Sequence, residues 1–200
     1  YGGIRYGSDR TPDLDNLDYT LQALKSSGFP GNHDIWKKAV CFIQRCQNRN
    51  RSNDQDWSAD DGGFIYYPGF SMAGGTRSYG SMTRAGISCF LNAKIKADDP
   101  RVADAFKWLC GHYTLEENPC VGQKGLFHYY YTLSRALSRC GENIIKDSHG
   151  TEHNWSEELV NKLSVLQHKE GYWLNECPEW WEGNKVLVTS YAILSLSYLY

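Results

Sequence analysis

The chain returns to the same local pattern at long intervals, and this repetition constrains its fold more than any single residue does. A small residue followed by a small or aliphatic one marks one phase, at Ala23-Leu24, Ala85-Gly86, Ala136-Leu137 and Ser195-Leu196. Phe42-Ile43, Trp108-Leu109 and Lys162-Leu163 mark a second phase between them. Each cycle has the length of one helical hairpin plus a Gly/aromatic loop. Units of this kind bury on their neighbours the apolar face they cannot bury alone.

Local punctuation places the helices. Asp13 and Asn16 are favoured helix-start residues, and the helix they open runs through Leu24 and stops near Gly28 and Pro30. Asp34 opens a second helix, with Trp36, Val40, Ile43 and Cys46 or Gln47 along one face. The polar stretch 49–61 reads as a loop into Asp61-Gly62-Gly63-Phe64. Helices are then expected over about 79–96 and 100–113, the latter begun by Pro100, whose missing amide hydrogen costs nothing in a first turn. Gly125-Leu126-Phe127 leads into a helix ending near Cys140, 141–154 reads as a loop, and helices follow over about 156–169 and 186–200. Phe64-Ile65-Tyr66-Tyr67 and Tyr172-Trp173-Leu174 are too short, and too closely flanked by Gly and Pro, to build a sheet. The expectation is an all-α chain of seven helices.

Composition narrows the function. With 200 residues the chain can bury one good core, and nothing forces a second domain within 1–200. Its 23 acidic and 21 basic residues nearly cancel, which argues against a nucleic-acid partner. No apolar run reaches the length of a membrane span; the longest, 186–200, is broken by Thr189, Ser190, Ser195 and Ser197. Of the seven cysteines, Cys41, Cys89, Cys110 and Cys140 sit in apolar helical stretches, where buried free thiols are expected in preference to one or two disulfides. The cysteine count and the start at Tyr1, which fits a removed leader or a fragment, lean the reading towards an extracytoplasmic compartment.

The segment Gln167-His168-Lys169-Glu170-Gly171-Tyr172-Trp173 matches the pattern QxxxGxW, with Leu163 four residues upstream. The same grammar recurs in weaker form at Phe42-Ile43 with Gln47 and at Trp108-Leu109 with Tyr113, while Gly2-Gly3-Ile4 and Gly62-Gly63-Phe64 form similar loops. In these features, which cover nearly the whole chain, it resembles the QW-repeat proteins: squalene and oxidosqualene cyclases and the β subunits of protein prenyltransferases. The resemblance implies an α/α toroid of alternating inner and outer helices, in which glutamine ties a helix end to the next loop and tryptophan packs over it. A closed toroid uses about twelve helices, so seven imply an incomplete one, a single domain that is a fragment of a longer chain. Its partners would then be an isoprenoid or other small ligand, the missing part of its own toroid, or another subunit.

The resemblance also nominates residues. Squalene-hopene-type cyclases begin with a DxDD motif whose middle aspartic acid protonates an alkene. Asp13-Leu14-Asp15-Asn16 aligns with it without a gap, making Asp15 the catalytic candidate flanked by Asp13 and Asn16. Helix capping is the competing reading of the same residues. In a prenyltransferase, zinc would need Asp, Cys and His; Arg77 and Tyr79 stand at the first two positions and only His128 matches, so no metal and no cofactor is expected. Aromatic side chains near the Gly-rich loops, among them Tyr66, Tyr79, Phe127, Tyr130 and Trp181, together with His128, are the substrate-binding candidates. Their ring faces suit a carbocation or a sugar ring, and ordinary packing competes with both. A non-catalytic domain holding a peptide, glycan or subunit is the alternative function.

Overall fold

A computed structural model describes residues 2–7 and 11–199. Tyr1, expected in the first loop, and Tyr200, the expected end of the last helix, lie outside the described residues. Among the described residues the fold is all-α apart from one two-stranded hairpin, with seven α-helices. It divides into two compact units, 1–109 and 110–200.

The first unit holds α1 (Leu14–Ser26), α2 (Asp34–Cys46), α3 (Gly80–Asn92) and α4 (Pro100–Gly111), with the division falling near the end of α4. Helix α3 is buried on almost every side and packs chiefly against α1. Gly86 makes room for Phe64: a Cβ there would come within 2.6 Å of the phenyl ring. The Gly-rich loop before α3 is pinned from several directions. Buried Gln47, just beyond α2, donates its side-chain amide to the Gly62 carbonyl at 2.9 Å and to the Arg101 carbonyl in the first turn of α4 at 2.8 Å. Asn48 exchanges main-chain bonds of 2.8 Å with Gly62 and Gly63, and Arg49 pairs with Asp104 at 2.7 Å. One glutamine therefore ties α2, the loop and α4 together.

The second unit holds α5 (Leu126–Cys140), β1 (Ile145–Lys146), β2 (Glu152–His153), α6 (Trp155–Leu166), a 3-10 turn at Glu179–Trp181, and α7 (Lys185–Ser197). Helices α5 and α7 pack against each other. Tyr129 and Tyr130 reach out of α5 and donate their hydroxyls to the Thr114 and Leu115 carbonyls, each at 2.6 Å. The QxxxGxW segment fastens α6 to α7: the Trp173 indole donates to the Leu163 carbonyl at 2.8 Å, and the Trp173 amide donates to the Thr189 hydroxyl at 3.1 Å. Gln167 contributes only a 3.3 Å bond to the Gly171 carbonyl, within its own loop.

Two features differ from the sequence expectation. The loop at 141–154 contains the hairpin, with Ile145 opposite His153 and Lys146 opposite Glu152. Its turn is closed by Asp147, whose carboxylate accepts from the amides of His149 and Thr151 at 2.8 Å each, and strands of two residues leave no period to read. The expected helix over 79–96 also ends early, at Asn92, because Lys94 takes a left-handed φ of 65° and the Lys94 and Ile95 amides turn back to the Leu91 and Phe90 carbonyls. All seven cysteines are thiols, with Cys46 and Cys89 buried. No helix among the described residues is long and apolar enough to cross a membrane.

Candidate functional site

The start of α1 collects the proposed acids. Asp13 sits in extended backbone before the helix and is only 4% exposed. One carboxylate oxygen accepts from the Asn16 amide at 2.8 Å and the other from the Asn16 side-chain NH2 at 2.7 Å. This is a helix cap that satisfies an amide the helix would otherwise leave unpaired. The Tyr66 hydroxyl also bonds the Asp13 carboxylate, and the Tyr66 carbonyl accepts from the Leu14 amide at 2.9 Å. Burial raises the Asp13 carboxyl above the ordinary aspartate range; the bonds from Asn16 and Tyr66 pull it back, and the charge of Asp15 pushes it up again.

Asp15 lies half-buried in the first turn of α1. Tyr79 stands immediately before α3 and is 1% exposed. Burial pushes its phenol well above the usual value, with Asp15, Tyr66, Asp13 and Cys46 adding to the shift in that order. The Cys46 thiol is raised in the same way, by burial first and then by Asp13. The structure thus brings Asp13, Asp15, Asn16, Tyr66 and Tyr79 into one neighbourhood of the first unit. Chemically this is a carboxyl fixed in orientation and raised above the ordinary aspartate range by burial, close to a buried phenol and a buried thiol that are raised in the same way.

The other ligand candidates lie on or near α5 in the second unit. Phe127 is buried edge-on against Tyr130, at 5.5 Å between ring centroids, and Tyr130 is fully buried with its hydroxyl bonded to Leu115. Burial raises the Tyr130 phenol far above its ordinary range. His128 is half-buried, its ring 5.4 Å from Tyr191 and 6.4 Å from Tyr131. Trp181 is 82% exposed. Of these side chains only those of His128 and Trp181 reach solvent.

Sequence reasoning missed Glu182, which organises this region. Its carboxylate is completely buried and accepts from the amides of Phe127 at 3.2 Å and His128 at 2.8 Å, capping α5 from more than fifty residues away. The Asn175 side chain donates to it at 2.7 Å. To bring Glu182 inward the chain passes through two left-handed tryptophans, Trp180 (φ 57°) and Trp181 (φ 68°). The Trp180 ring lies over Gly125, where a Cβ would come within 2.4 Å of it. A capping residue so distant from its helix leaves no signal within one turn of sequence.

The zinc alignment finds no cluster. Arg77 donates to the Ala73 carbonyl and Tyr79 is packed inside. Among the described residues no group of three or more His, Cys, Asp or Glu side chains is arranged to hold a metal ion. No family model, no curated protein and no solved structure matches this chain.

Proposed function

We propose that this chain is a squalene-cyclase-like repeat domain that binds an isoprenoid at the start of α1 without cyclising it. The observation that supports this reading is the pair of hydrogen bonds that Asp13 accepts from Asn16: the carboxylate that leads the motif is spent on holding the helix start. Where a cyclase motif has a fourth acid, this chain has Asn16, and that amide is what engages Asp13. Half-buried Tyr66 and Asp15 are the groups beside it that a ligand can touch.

A second reading, acid-initiated cyclisation with Asp15 as proton donor, is favoured by one observation: Asp15 stands half-buried in the first turn of α1, close to Asp13 and Tyr79. Retention separates ligand binding from its absence. Squalene, farnesyl diphosphate and geranylgeranyl diphosphate are each mixed with the chain, passed through gel filtration, and extracted from the protein peak. Co-elution of at least one, reduced in Tyr66→Ala, is the expected result. Co-elution of none would remove the isoprenoid from this account.

A further inference from the structure

Outside the α1 site, a groove of about 500 Å³ opens on the second unit, within the range of small-molecule sites, roughly 300–1,000 Å³. One wall is a single face of α6. Glu158, Asn161, Lys162 and Val165 follow one another at helical spacing, while Trp155, Leu159 and Leu163 hold the buried side of the same helix. The segment Tyr113–Glu116 and His153 of β2 form the rest.

The titratable groups of this groove are hydrogen-bonded to one another. His153 lies between two carboxylates, with Nδ1 2.9 Å from Glu158 and Nε2 3.3 Å from Asp147. Glu158 also accepts from the Tyr113 hydroxyl at 2.9 Å, and the Tyr113 ring tilts against the imidazole at 4.8 Å. Lys162 bonds Glu116 at 2.6 Å. With Lys162 already paired, the walls present no uncompensated cation for a phosphate. They do present carboxylate oxygens with lone pairs to spare, held in fixed directions, and the exposed Asn161 amide, which both donates and accepts. Val165, 83% exposed at the edge, and the Tyr113 ring add apolar surface.

We propose that this groove binds a neutral saccharide. Sugar hydroxyls both donate and accept, so they suit oriented carboxylates and an amide together, and the C–H face of a sugar ring suits an aromatic or aliphatic wall. The groove is open, so a chain of sugar units can extend past its ends. This inference is independent of the isoprenoid reading, because every residue it uses belongs to the second unit.

The test is ligand-observed saturation-transfer NMR on the full chain. The probes are the methyl glycosides of glucose, galactose and mannose, together with cellotetraose, maltotetraose and chitotetraose. Spermidine and inorganic phosphate are the charged comparators. Saturation transfer to at least one saccharide is expected, with affinity weakened at least tenfold in Asn161→Ala and unchanged in Asp15→Asn. Asn161 and Val165 are both exposed, so Val165→Asp serves as a second variant that leaves the core intact, and the same loss is expected from it. The proposal is overturned if no saccharide responds, if only spermidine or phosphate responds, or if neither α6 variant changes the affinity. A saccharide response alongside failed isoprenoid retention would sink the α1 reading and leave this one standing.

Discussion

Helices α1 and α5 both begin after a Gly/aromatic loop, yet their exposed amides are satisfied in opposite ways. Asp13 and Asn16 close the start of α1 within a single turn of chain. The start of α5 has only left-handed Gly125 before it and takes its cap from Glu182, on a segment more than fifty residues away. The difference teaches where stability resides. The Asp13 cap on the Asn16 amide lies within α1's own first turn, with Tyr66 adding to it, whereas the Glu182 cap on α5 forms only once the segment containing Trp180 and Trp181 has folded back over it.

If this contrast is right, the largest loss comes from the remote cap. Glu182→Ala removes a buried carboxylate from two amides and Asn175, and should cost about 3–5 kcal/mol in denaturant unfolding of the second unit, since each buried donor left unsatisfied costs about 1–3 kcal/mol. A change of less than about 1 kcal/mol would show that water replaces the carboxylate easily and would dissolve the contrast.

A second comparison separates the two repeat glutamines. Buried Gln47 bridges two carbonyls on separate elements, so Gln47→Ala should cost about 2–3 kcal/mol, whereas exposed Gln167, with one long bond, should cost under about 0.5 kcal/mol. Equal losses at both sites would mean that Gln47 does not fasten three elements. For the local cap, Asp13→Ala should cost about 1–2 kcal/mol and Asp13→Asn under about 0.5 kcal/mol, because asparagine caps comparably and carries no buried charge. Thermal and denaturant midpoints check both variants.

The smallest effect is a pH dependence in the second unit. Burial lowers the His153 pKa, but its bonds to Glu158 and Asp147 and their charges outweigh that and hold it above the ordinary histidine value. A pKa raised by folding stabilises below the unfolded value of 6.5, and that stabilisation is lost as pH rises through the folded value. The facing groups are Asp147 and nearby His149 in the hairpin turn, Glu158 on α6, and Tyr113. Burial pushes Asp147 up, but bonds from the Thr151 and His149 amides and from His153 hold it low, so its contribution fails only under acid. Amide exchange at 145–153 should therefore speed up as pH rises past the His153 titration, beyond the intrinsic rate, and His153→Gln should remove the excess. Exchange that follows the intrinsic rate throughout would show that the clasp carries no stability.

The contrast between the caps also explains what the sequence disclosed. Hydrophobic phase together with cap, Gly and Pro punctuation located the seven helices, and the Asp13–Asn16 cap was legible because its partners lie three residues apart. Glu182, the left-handed tryptophans and the two-residue strands were not legible, since each depends on a partner brought close only by folding. At the candidate site, Tyr66 and Tyr79 were nominated as ligand contacts from aromatic density. The bond of Tyr66 to Asp13 and the burial of Tyr79 before α3 came from the packing of α1 on α3, which no local pattern encodes. The groove on α6 was hidden for the same reason: His153 reads as one of several scattered histidines until the hairpin carries it to Glu158.

The most direct test of the central claim, that the acids at the start of α1 hold a helix and do not drive cyclisation, is product analysis with squalene, 2,3-oxidosqualene and geranylgeranyl diphosphate on wild type and Asp15→Asn in parallel. The account predicts unreacted substrate in both samples and the same helix content by circular dichroism. A cyclised product made by the wild type and lost in Asp15→Asn would contradict it.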